Sequence, residues 1–208
     1  MLVIGLTGGV ASGKTFISSY LKEQGCVVFD TDEEVHKLLE DSRTSVFKEV
    51  KKTFPDATSR GEIDRQKLGN IVFSDKERLR RLENIVHPKL TEVLLYFLEK
   101  QKEIEKKQNT QQIIILDAAL LFQASWDKYC NYTILLKLDK KIQKERYLER
   151  KNTDLEKLEK IIDNQEHLDE RFGDKANFIV DTSGDKNDIL VEIDKVLEKI
   201  QKHQQKNA

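Results

Sequence analysis

The segment Gly8-Gly9-Val10-Ala11-Ser12-Gly13-Lys14-Thr15 decides the fold, because it fits the pattern G-x-x-x-x-G-K-[ST] at every defined position. The apolar run of residues 2–6 precedes it as a buried parallel strand would, and helical spacing follows to Gln24. In that context the backbone N–H groups of the loop point at phosphate oxygens, and the start of the helix adds positive charge. The chain is therefore predicted to bind a nucleoside triphosphate.

The polar side chains of this loop have separate predicted roles. Lys14 supplies a point charge to the β- and γ-phosphates, and the Thr15 hydroxyl is a ligand for Mg²⁺. Asp117, at the end of a later strand, is either a second Mg²⁺ ligand acting through water or a cap of the strand end. The predicted nucleotide contacts are Gly8, Gly9, Val10, Ala11, Ser12, Gly13, Lys14, Thr15, Phe16 and Arg150.

Composition limits the classes of partner. The 208 residues contain 36 Lys plus Arg and 37 Asp plus Glu, which gives a net charge of −1 and argues against non-specific nucleic-acid binding. No apolar run reaches 18 residues, and the N-terminus lacks the pattern of a signal peptide, so no membrane contact is expected. Cys26 and Cys130 lie far apart in apolar surroundings, as in a reducing compartment. We therefore predict a cytoplasmic protein, and the pattern specifies no oligomeric state.

The rest of the chain alternates between strands and helices. Further buried strands are predicted at 26–29, 113–117, 132–138 and 178–181. The predicted fold class is α/β, a three-layer sandwich like that of P-loop nucleotide kinases, with a parallel five-stranded sheet. We predict a single domain whose core comprises residues 1–30, 109–139 and 172–208, with a helical substrate-binding insert at about 31–108 and a lid at about 140–171.

Several boundaries within this plan are explicit. Asp64 and Asp75 are predicted to cap two helices of the insert. The helical pattern is predicted to break at residues 54–56, at Gly61 and at His87-Pro88, with Pro88 as the first residue of a long helix. The polar residues 201–208 are expected to fray from the last helix.

Three classes of nucleotide-binding protein can be separated by their motifs. A regulatory GTPase needs Asn-Lys-x-Asp after a late strand, and the chain has no such segment. A motor ATPase usually has an acidic pair at a strand end, where Leu116-Asp117-Ala118 supplies one acid. A small-molecule kinase needs a phosphate-binding loop, an acceptor-binding insert and an arginine-bearing lid. All three have candidates here.

The acceptor-side candidate is Asp30-Thr31-Asp32, at the end of the second strand. Phosphoryl transfer to a hydroxyl needs a carboxylate that orients the hydroxyl and takes its proton. Asp32 is the predicted catalytic carboxylate, and Asp30 is predicted to cap the following helix or to lie outside the direct contacts of the substrate. The alternative is that both are caps. His87 is a candidate acceptor contact, with a structural histidine as the alternative, and Trp126 is predicted to pack in the core.

The lid candidate is residues 140–151, which hold six basic and two acidic side chains. Arg146 and Arg150 lie one helical turn apart, and their guanidinium groups suit phosphate. We predict that Arg146 assists transfer and that Arg150 contacts the nucleotide. A solvated, salt-bridged helix face is the alternative.

Several motifs in order give the chain a resemblance to the bacterial dephospho-CoA kinase family along essentially its whole length. They are Gly5-Leu6-Thr7-Gly8-Gly9 leading into the loop, Asp30-Thr31-Asp32, Gly61-Glu62-Ile63-Asp64-Arg65, Leu82-Glu83-Asn84-Ile85-Val86-His87-Pro88, Leu120-Leu121-Phe122, and Gln143, Arg146, Arg150, Gln165 and Arg171 of the lid region.

The resemblance implies phosphorylation of the ribose 3′-hydroxyl of dephospho-CoA by ATP with Mg²⁺, which yields coenzyme A and ADP in the last step of coenzyme A synthesis. It implies Asp32 as the base and Arg146 on the phosphates. Gln123 departs from a family glutamate, and Thr182 replaces a family Asn on the adenine side. The alternatives are a P-loop kinase for another nucleoside or nucleotide, and a non-catalytic nucleotide-binding module.

Overall fold

Five parallel strands form the central sheet. The computed structural model describes residues 1–149 and 172–207. In the described residues the order across the sheet is β2-β5-β1-β6-β7, and each neighbouring pair is parallel. The strands of the chain are β1 (Leu2–Gly8), β2 (Val27–Asp30), β3 (Thr58–Ser59), β4 (Glu62–Ile63), β5 (Ile113–Asp117), β6 (Tyr132–Lys137) and β7 (Phe178–Asp181). The predicted α/β fold with a parallel five-stranded sheet is confirmed.

The sheet is buried on both faces. Alternate residues of a strand point to opposite sides, so Ile4 and Leu6 of β1 join one apolar cluster while Val3 joins the other. The first cluster includes residues of the first and last helices, and the second includes residues of the insert. Two apolar layers around one sheet give the predicted three-layer arrangement.

The helices connect these strands. They are α1 (Lys14–Glu23), α2 (Thr31–Glu40), α3 (Ser45–Thr53), α4 (Arg65–Phe73), α5 (Lys76–Gln108), α6 (Lys140–Leu148) and α7 (Lys186–Asn207). Side-chain oxygens of Asp64 and Asp75 accept hydrogen bonds from backbone N–H groups at the starts of α4 and α5, which confirms both predicted caps. Residues 55–57 form a short 3₁₀ turn, and Gly61 (φ 89°) lies in the β3–β4 hairpin. That hairpin was not among the predicted strands.

The predicted helix break at His87-Pro88 is wrong. Pro88 lies inside α5, which continues for 33 residues. A proline in a helix interior loses one backbone hydrogen bond. The apolar stripe of α5 nevertheless continues through the proline, and Val86, Leu90 and Leu94 are all buried against the sheet side of the insert. Burial on both sides of Pro88 stabilises the helix through the position where local pattern predicts a stop.

The expected fraying of residues 201–208 is also wrong for the described part of the tail. Helix α7 continues to Asn207. Lys and Gln lose little side-chain freedom in a helix, so a polar segment that follows the buried Ile200 can extend the helix without packing. Among the described residues, no helix combines the length and the apolar character that a membrane crossing would require.

Candidate active site

A cavity of about 430 Å³ opens where β1 ends and α1 begins. Its lining includes every residue from Gly8 to Phe16, together with Asp32 and Ala119. The structure thus brings the predicted phosphate-binding loop (residues 8–15) and the predicted catalytic carboxylate to one space. This is the crevice at the carboxyl ends of parallel strands where open α/β sheets bind ligands.

Close backbone packing shapes the loop. A Cβ atom on Gly8 would lie 2.9 Å from the carbonyl oxygen of Leu136, so a side chain there would displace the neighbouring strand. Gly13 has a φ of 84° and caps α1 in the left-handed region. Ala11 has a φ of 62°, although it carries a Cβ and is 7% exposed. The loop therefore holds a conformation that costs an L-residue about 1 kcal/mol.

Lys14 and Asp117 form an ion pair inside the cavity wall. The distance from Nζ of Lys14 to Oδ1 of Asp117 is 2.8 Å, and the Asp117 side chain is 2% exposed. Burial raises the pKa of the Asp117 carboxyl above its ordinary value, and the Lys14 ammonium opposes that shift. Asp117 was predicted as a strand-end carboxylate near the phosphates. Its pairing with Lys14, 103 positions away, has no signal in the local sequence.

Asp30 and Asp32 have different surroundings. Oδ1 of Asp30 accepts hydrogen bonds from the backbone N–H groups of Asp32 (2.8 Å) and Glu33 (3.1 Å), which confirms Asp30 as the cap of α2. The Asp32 side chain lines the cavity instead. Of the two carboxylates, Asp32 is therefore the one that a substrate bound at the loop could contact.

A second cavity of about 260 Å³ adjoins the first. The two share Ala11, Ser12, Gly13 and Phe16. The remaining lining of the second cavity is Ile17, Arg146, Glu149, Thr182, Lys186 and Ile189. Helix α6 and the start of α7 therefore face each other across the outer side of the loop.

Arg146 stands in this second cavity. Its Nη2 lies 3.3 Å from the carbonyl oxygen of Gly184, just after β7. The structure thus places Arg146 beside the loop, at the cavity that adjoins the one lined by Asp32. Arg150, the other predicted lid arginine, lies outside the described residues, as do Gln165 and Arg171.

Gln143 ties α6 to the phosphate-binding loop. Its Nε2 donates a hydrogen bond of 2.8 Å to the carbonyl oxygen of Val10. Sequence analysis noted Gln143 only as part of the family resemblance and assigned it no contact. Its position one turn before Arg146 in a basic helix was the feature of the sequence that could have indicated a contact with the loop.

The two departures from the family pattern lie in different surroundings. Thr182 lines the second cavity and is 1% exposed, and its Oγ1 donates to the carbonyl oxygen of Lys137 at 3.0 Å. That bond satisfies the hydroxyl and ties the end of β7 to β6. Gln123 is exposed on the surface of the segment after β5.

His87 lies in the insert against an aromatic side chain. Its ring stands edge-on to Trp126, with 5.3 Å between centroids, and burial lowers the pKa of the imidazole. Trp126 is 3% exposed and donates to Oγ1 of Thr91 at 2.9 Å, so its predicted packing role is confirmed. His87 is not among the described residues that line the two cavities. Its contact with an acceptor stays a prediction.

A metal ion at this site would be coordinated mainly by the bound nucleotide and by water, with few protein side chains. In the part of the chain that the structure describes, no three His, Cys, Asp or Glu side chains are grouped so as to hold an ion. Thr15 lines the cavity, while Asp117 is enclosed and paired with Lys14. Such a donor set suits Mg²⁺, which keeps several waters and binds mainly through substrate phosphates.

Comparison with known proteins gives one consistent family. A family model described as dephospho-CoA kinase matches residues 2–188. A dephospho-CoA kinase from Fusobacterium nucleatum is 36% identical over 202 residues, which cover 96% of this chain and 99% of that protein.

Solved structures with a similar fold include a member of the same family. Dephospho-CoA kinase from Campylobacter jejuni superposes with a TM-score of 0.63 at 26% identity, covering 97% of this chain and 98% of that one. The protein TT1252 from Thermus thermophilus superposes with a TM-score of 0.74 at 27% identity, covering 95% and 97%. The similarity therefore extends over nearly the full length of all the chains compared.

Proposed function

Because the chain belongs to the dephospho-CoA kinase family, we propose that it transfers the γ-phosphoryl group of ATP to the ribose 3′-hydroxyl of dephospho-CoA. The products are coenzyme A and ADP, and the reaction completes coenzyme A biosynthesis. The observation that carries the proposal is the shared cavity, in which Asp32 faces a phosphate-binding loop across the carboxyl ends of the strands.

Asp32 acts as the base on the acceptor side. Its carboxylate accepts a hydrogen bond from the 3′-hydroxyl and takes the proton as the hydroxyl oxygen attacks the γ-phosphorus. The new bond joins that oxygen to phosphorus, and the bond from phosphorus to the β–γ bridging oxygen breaks. Asp30 already accepts the hydrogen bonds that cap α2, so the Asp32 carboxylate is not needed as the cap of that helix.

Positive charge on the donor side comes from the loop and from α6. Backbone N–H groups of residues 8–15 and the Lys14 ammonium bind the phosphates. Arg146 approaches from the second cavity and stabilises negative charge that develops on the transferring group. The ion pair with Asp117 holds the Lys14 ammonium at the cavity wall.

We assign Mg²⁺ to the nucleotide phosphates. Thr15 would offer a hydroxyl ligand, and Asp117 would hold the ion through water. When bound, the ion would neutralise part of the phosphate charge. The support for this assignment is the Thr15 hydroxyl in the cavity lining and the buried Asp117 carboxylate nearby.

The insert and the lid complete the proposed division of labour. Residues of the insert, including His87, would bind the acceptor, and the segment from α6 onward would close over the nucleotide. The free thiols of Cys26 and Cys130 favour a reducing, cytoplasmic setting.

An assay of acceptor choice tests the proposal. The purified chain would be given ATP, Mg²⁺ and either dephospho-CoA, a nucleoside or a nucleoside monophosphate, with products identified by mass spectrometry. We expect turnover with dephospho-CoA. Turnover of a nucleoside or nucleotide in its place would assign the chain to another P-loop kinase activity.

The variant Asp32→Asn tests the base. We expect kcat to fall by a factor of about 100 or more, with ATP binding by calorimetry unchanged. Asp56→Asn, an exposed change in the insert, is the matched control. An unchanged kcat in Asp32→Asn would remove Asp32 from the mechanism.

A further inference from the structure

The Thr31 hydroxyl joins the acceptor side of the cavity to the phosphate side. Thr31 is 4% exposed, stands immediately before Asp32 and begins α2. Its Oγ1 donates a hydrogen bond of 2.9 Å to the main-chain carbonyl oxygen of Asp117. The residue that precedes the proposed base is therefore tied to the residue that pairs with Lys14.

This bond extends the sheet beyond its last strand pair. The β2–β5 register ends with Asp30 opposite Asp117, after which the chain turns into α2. The hydroxyl of Thr31 therefore supplies a cross-strand link at the point where the backbone ladder stops. Loss of the hydroxyl would remove this link between the start of α2 and the end of β5.

Other bonds hold the same strand end. The N–H of Ala118 donates to the carbonyl oxygen of Leu6 at 3.0 Å, and Oγ1 of Thr7 donates to the carbonyl oxygen of Ala119 at 3.2 Å. The segment after β5 is thereby fixed to β1 on its other side. It forms a rigid support against which Thr31 can place α2.

The side chain and the carbonyl of Asp117 serve opposite sides of the cavity. Its carboxylate pairs with Lys14 at 2.8 Å, and its carbonyl oxygen accepts from Thr31. A short path thus runs from Lys14 through Asp117 and Thr31 to Asp32. Phosphoryl transfer requires the base and the phosphate to be held at a defined distance from each other. A misplacement of the reacting groups by about 1 Å can reduce the rate 100-fold.

We propose that Thr31 is a positioning residue, whose hydroxyl fixes Asp32 relative to the Lys14–Asp117 pair. The assignment rests on the proposed role of Asp32 as base. Thr31 itself contacts no substrate; it acts through the placement of Asp32.

Three variants separate this role from packing. Thr31→Val keeps the shape of the buried side chain and removes the donor, and we expect kcat to fall about tenfold with the KM for ATP within twofold of wild type. Thr31→Ser keeps the donor and should recover most of kcat. Thr133→Val removes another buried hydroxyl, which bonds Asn177 near the start of β6, and should leave kcat unchanged.

A double-mutant cycle tests whether Thr31 acts through Asp32. In the Asp32→Asn background, measured with radiolabelled ATP, Thr31→Val should cause no further loss of kcat. A tenfold loss in both backgrounds, or a kcat of Thr31→Val within twofold of wild type, would overturn the proposal. A kcat of Thr31→Ser as low as that of Thr31→Val would also overturn it.

The same measurements distinguish a failure of the proposed function. If the wild-type chain phosphorylates another nucleotide instead of dephospho-CoA, the proposed substrate is wrong, and the cycle is carried out on that nucleotide with the same expected result. If the wild-type chain transfers phosphate to no acceptor, the proposed function and the role of Thr31 are both rejected.

Discussion

The Lys14 ammonium lies 2.8 Å from the Asp117 carboxylate, which is almost fully enclosed at the end of β5. The pair joins the phosphate-binding loop to the neighbouring strand. Because burial raises the pKa of Asp117, the ionised carboxylate is maintained against a desolvation cost, and the pairing with Lys14 offsets part of that cost.

The variant Asp117→Asn should reduce both activity and stability. The amide cannot neutralise Lys14 or hold a cation as a carboxylate does, so we expect kcat/KM for ATP to fall about 30-fold, or about 2 kcal/mol. The same change leaves the largely enclosed Lys14 ammonium without its counter-charge, so the free energy of unfolding should fall by about 3 kcal/mol. Kinetics and urea unfolding measure both quantities. A large loss of stability with normal kinetics would make the pair structural.

Arg146→Ala should lower the rate with little effect on folding. Arg146 lies at the second cavity, and its bond to the carbonyl oxygen of Gly184 is long, at 3.3 Å. We expect kcat to fall about 100-fold, as for removal of one charge-stabilising donor, and the free energy of unfolding to change by less than about 0.5 kcal/mol. Lys144→Ala removes the same charge from an exposed position of α6 and is the control. Equal rates for the two variants would argue against a specific role for Arg146.

Ala11→Gly should not destabilise the chain, contrary to the usual effect of this substitution. Ala11 has a φ of 62°, where glycine avoids a strain of about 1 kcal/mol. The greater freedom of glycine in the unfolded chain costs about 0.4–1 kcal/mol, so the net change should be close to zero or stabilising.

Two comparison variants complete that test. Ala57→Gly, at a buried position without positive φ, should lose at least about 0.5 kcal/mol. Ala11→Val should be clearly destabilising, because a β-branched residue fits the left-handed region poorly. Urea unfolding measures all three. A loss in Ala11→Gly as large as in Ala57→Gly would show that the loop is unstrained.

His87 should make stability depend on pH. Burial lowers its pKa in the folded chain, so between that value and the ordinary pKa of about 6.5 the unfolded chain binds more protons. Stability from the neutral imidazole is thus fully present above about pH 6.5 and is lost as the pH falls. His87→Gln should flatten the decline in the free energy of unfolding between pH 7 and 5.

His203→Gln changes an exposed histidine near the end of α7 and provides the comparison for that experiment. Its pH profile should follow the wild-type curve. A profile of His87→Gln that keeps the full wild-type slope would assign the pH dependence to other groups.

Local pattern predicted the features that depend on a few adjacent residues. The loop at residues 8–15, the caps formed by Asp30, Asp64 and Asp75, and the buried strands all have short-range causes that can be read from composition and spacing. The order of the strands was not predicted, because β1 and β2, which α1 connects, are separated in the sheet by β5.

The remainder depends on contacts between distant parts of the chain. The Thr31 bond to Asp117 spans 86 positions, and the Lys14–Asp117 pair spans 103. No local pattern encodes either one. The wrong prediction at Pro88 has the same origin, because burial of α5 against the sheet overrides the preference of a proline for a helix start.

Helix α5 has a consequence for how the insert is oriented. At about 1.5 Å per residue, its 33 residues extend about 50 Å, from Lys76 in the insert to the turn that enters β5. Leu94 and Leu98 anchor the distal half in the same apolar cluster as the sheet strands. The insert is therefore packed directly against the sheet through α5 and is not joined to it by a flexible linker. Its orientation relative to the phosphate-binding loop is set by that packing.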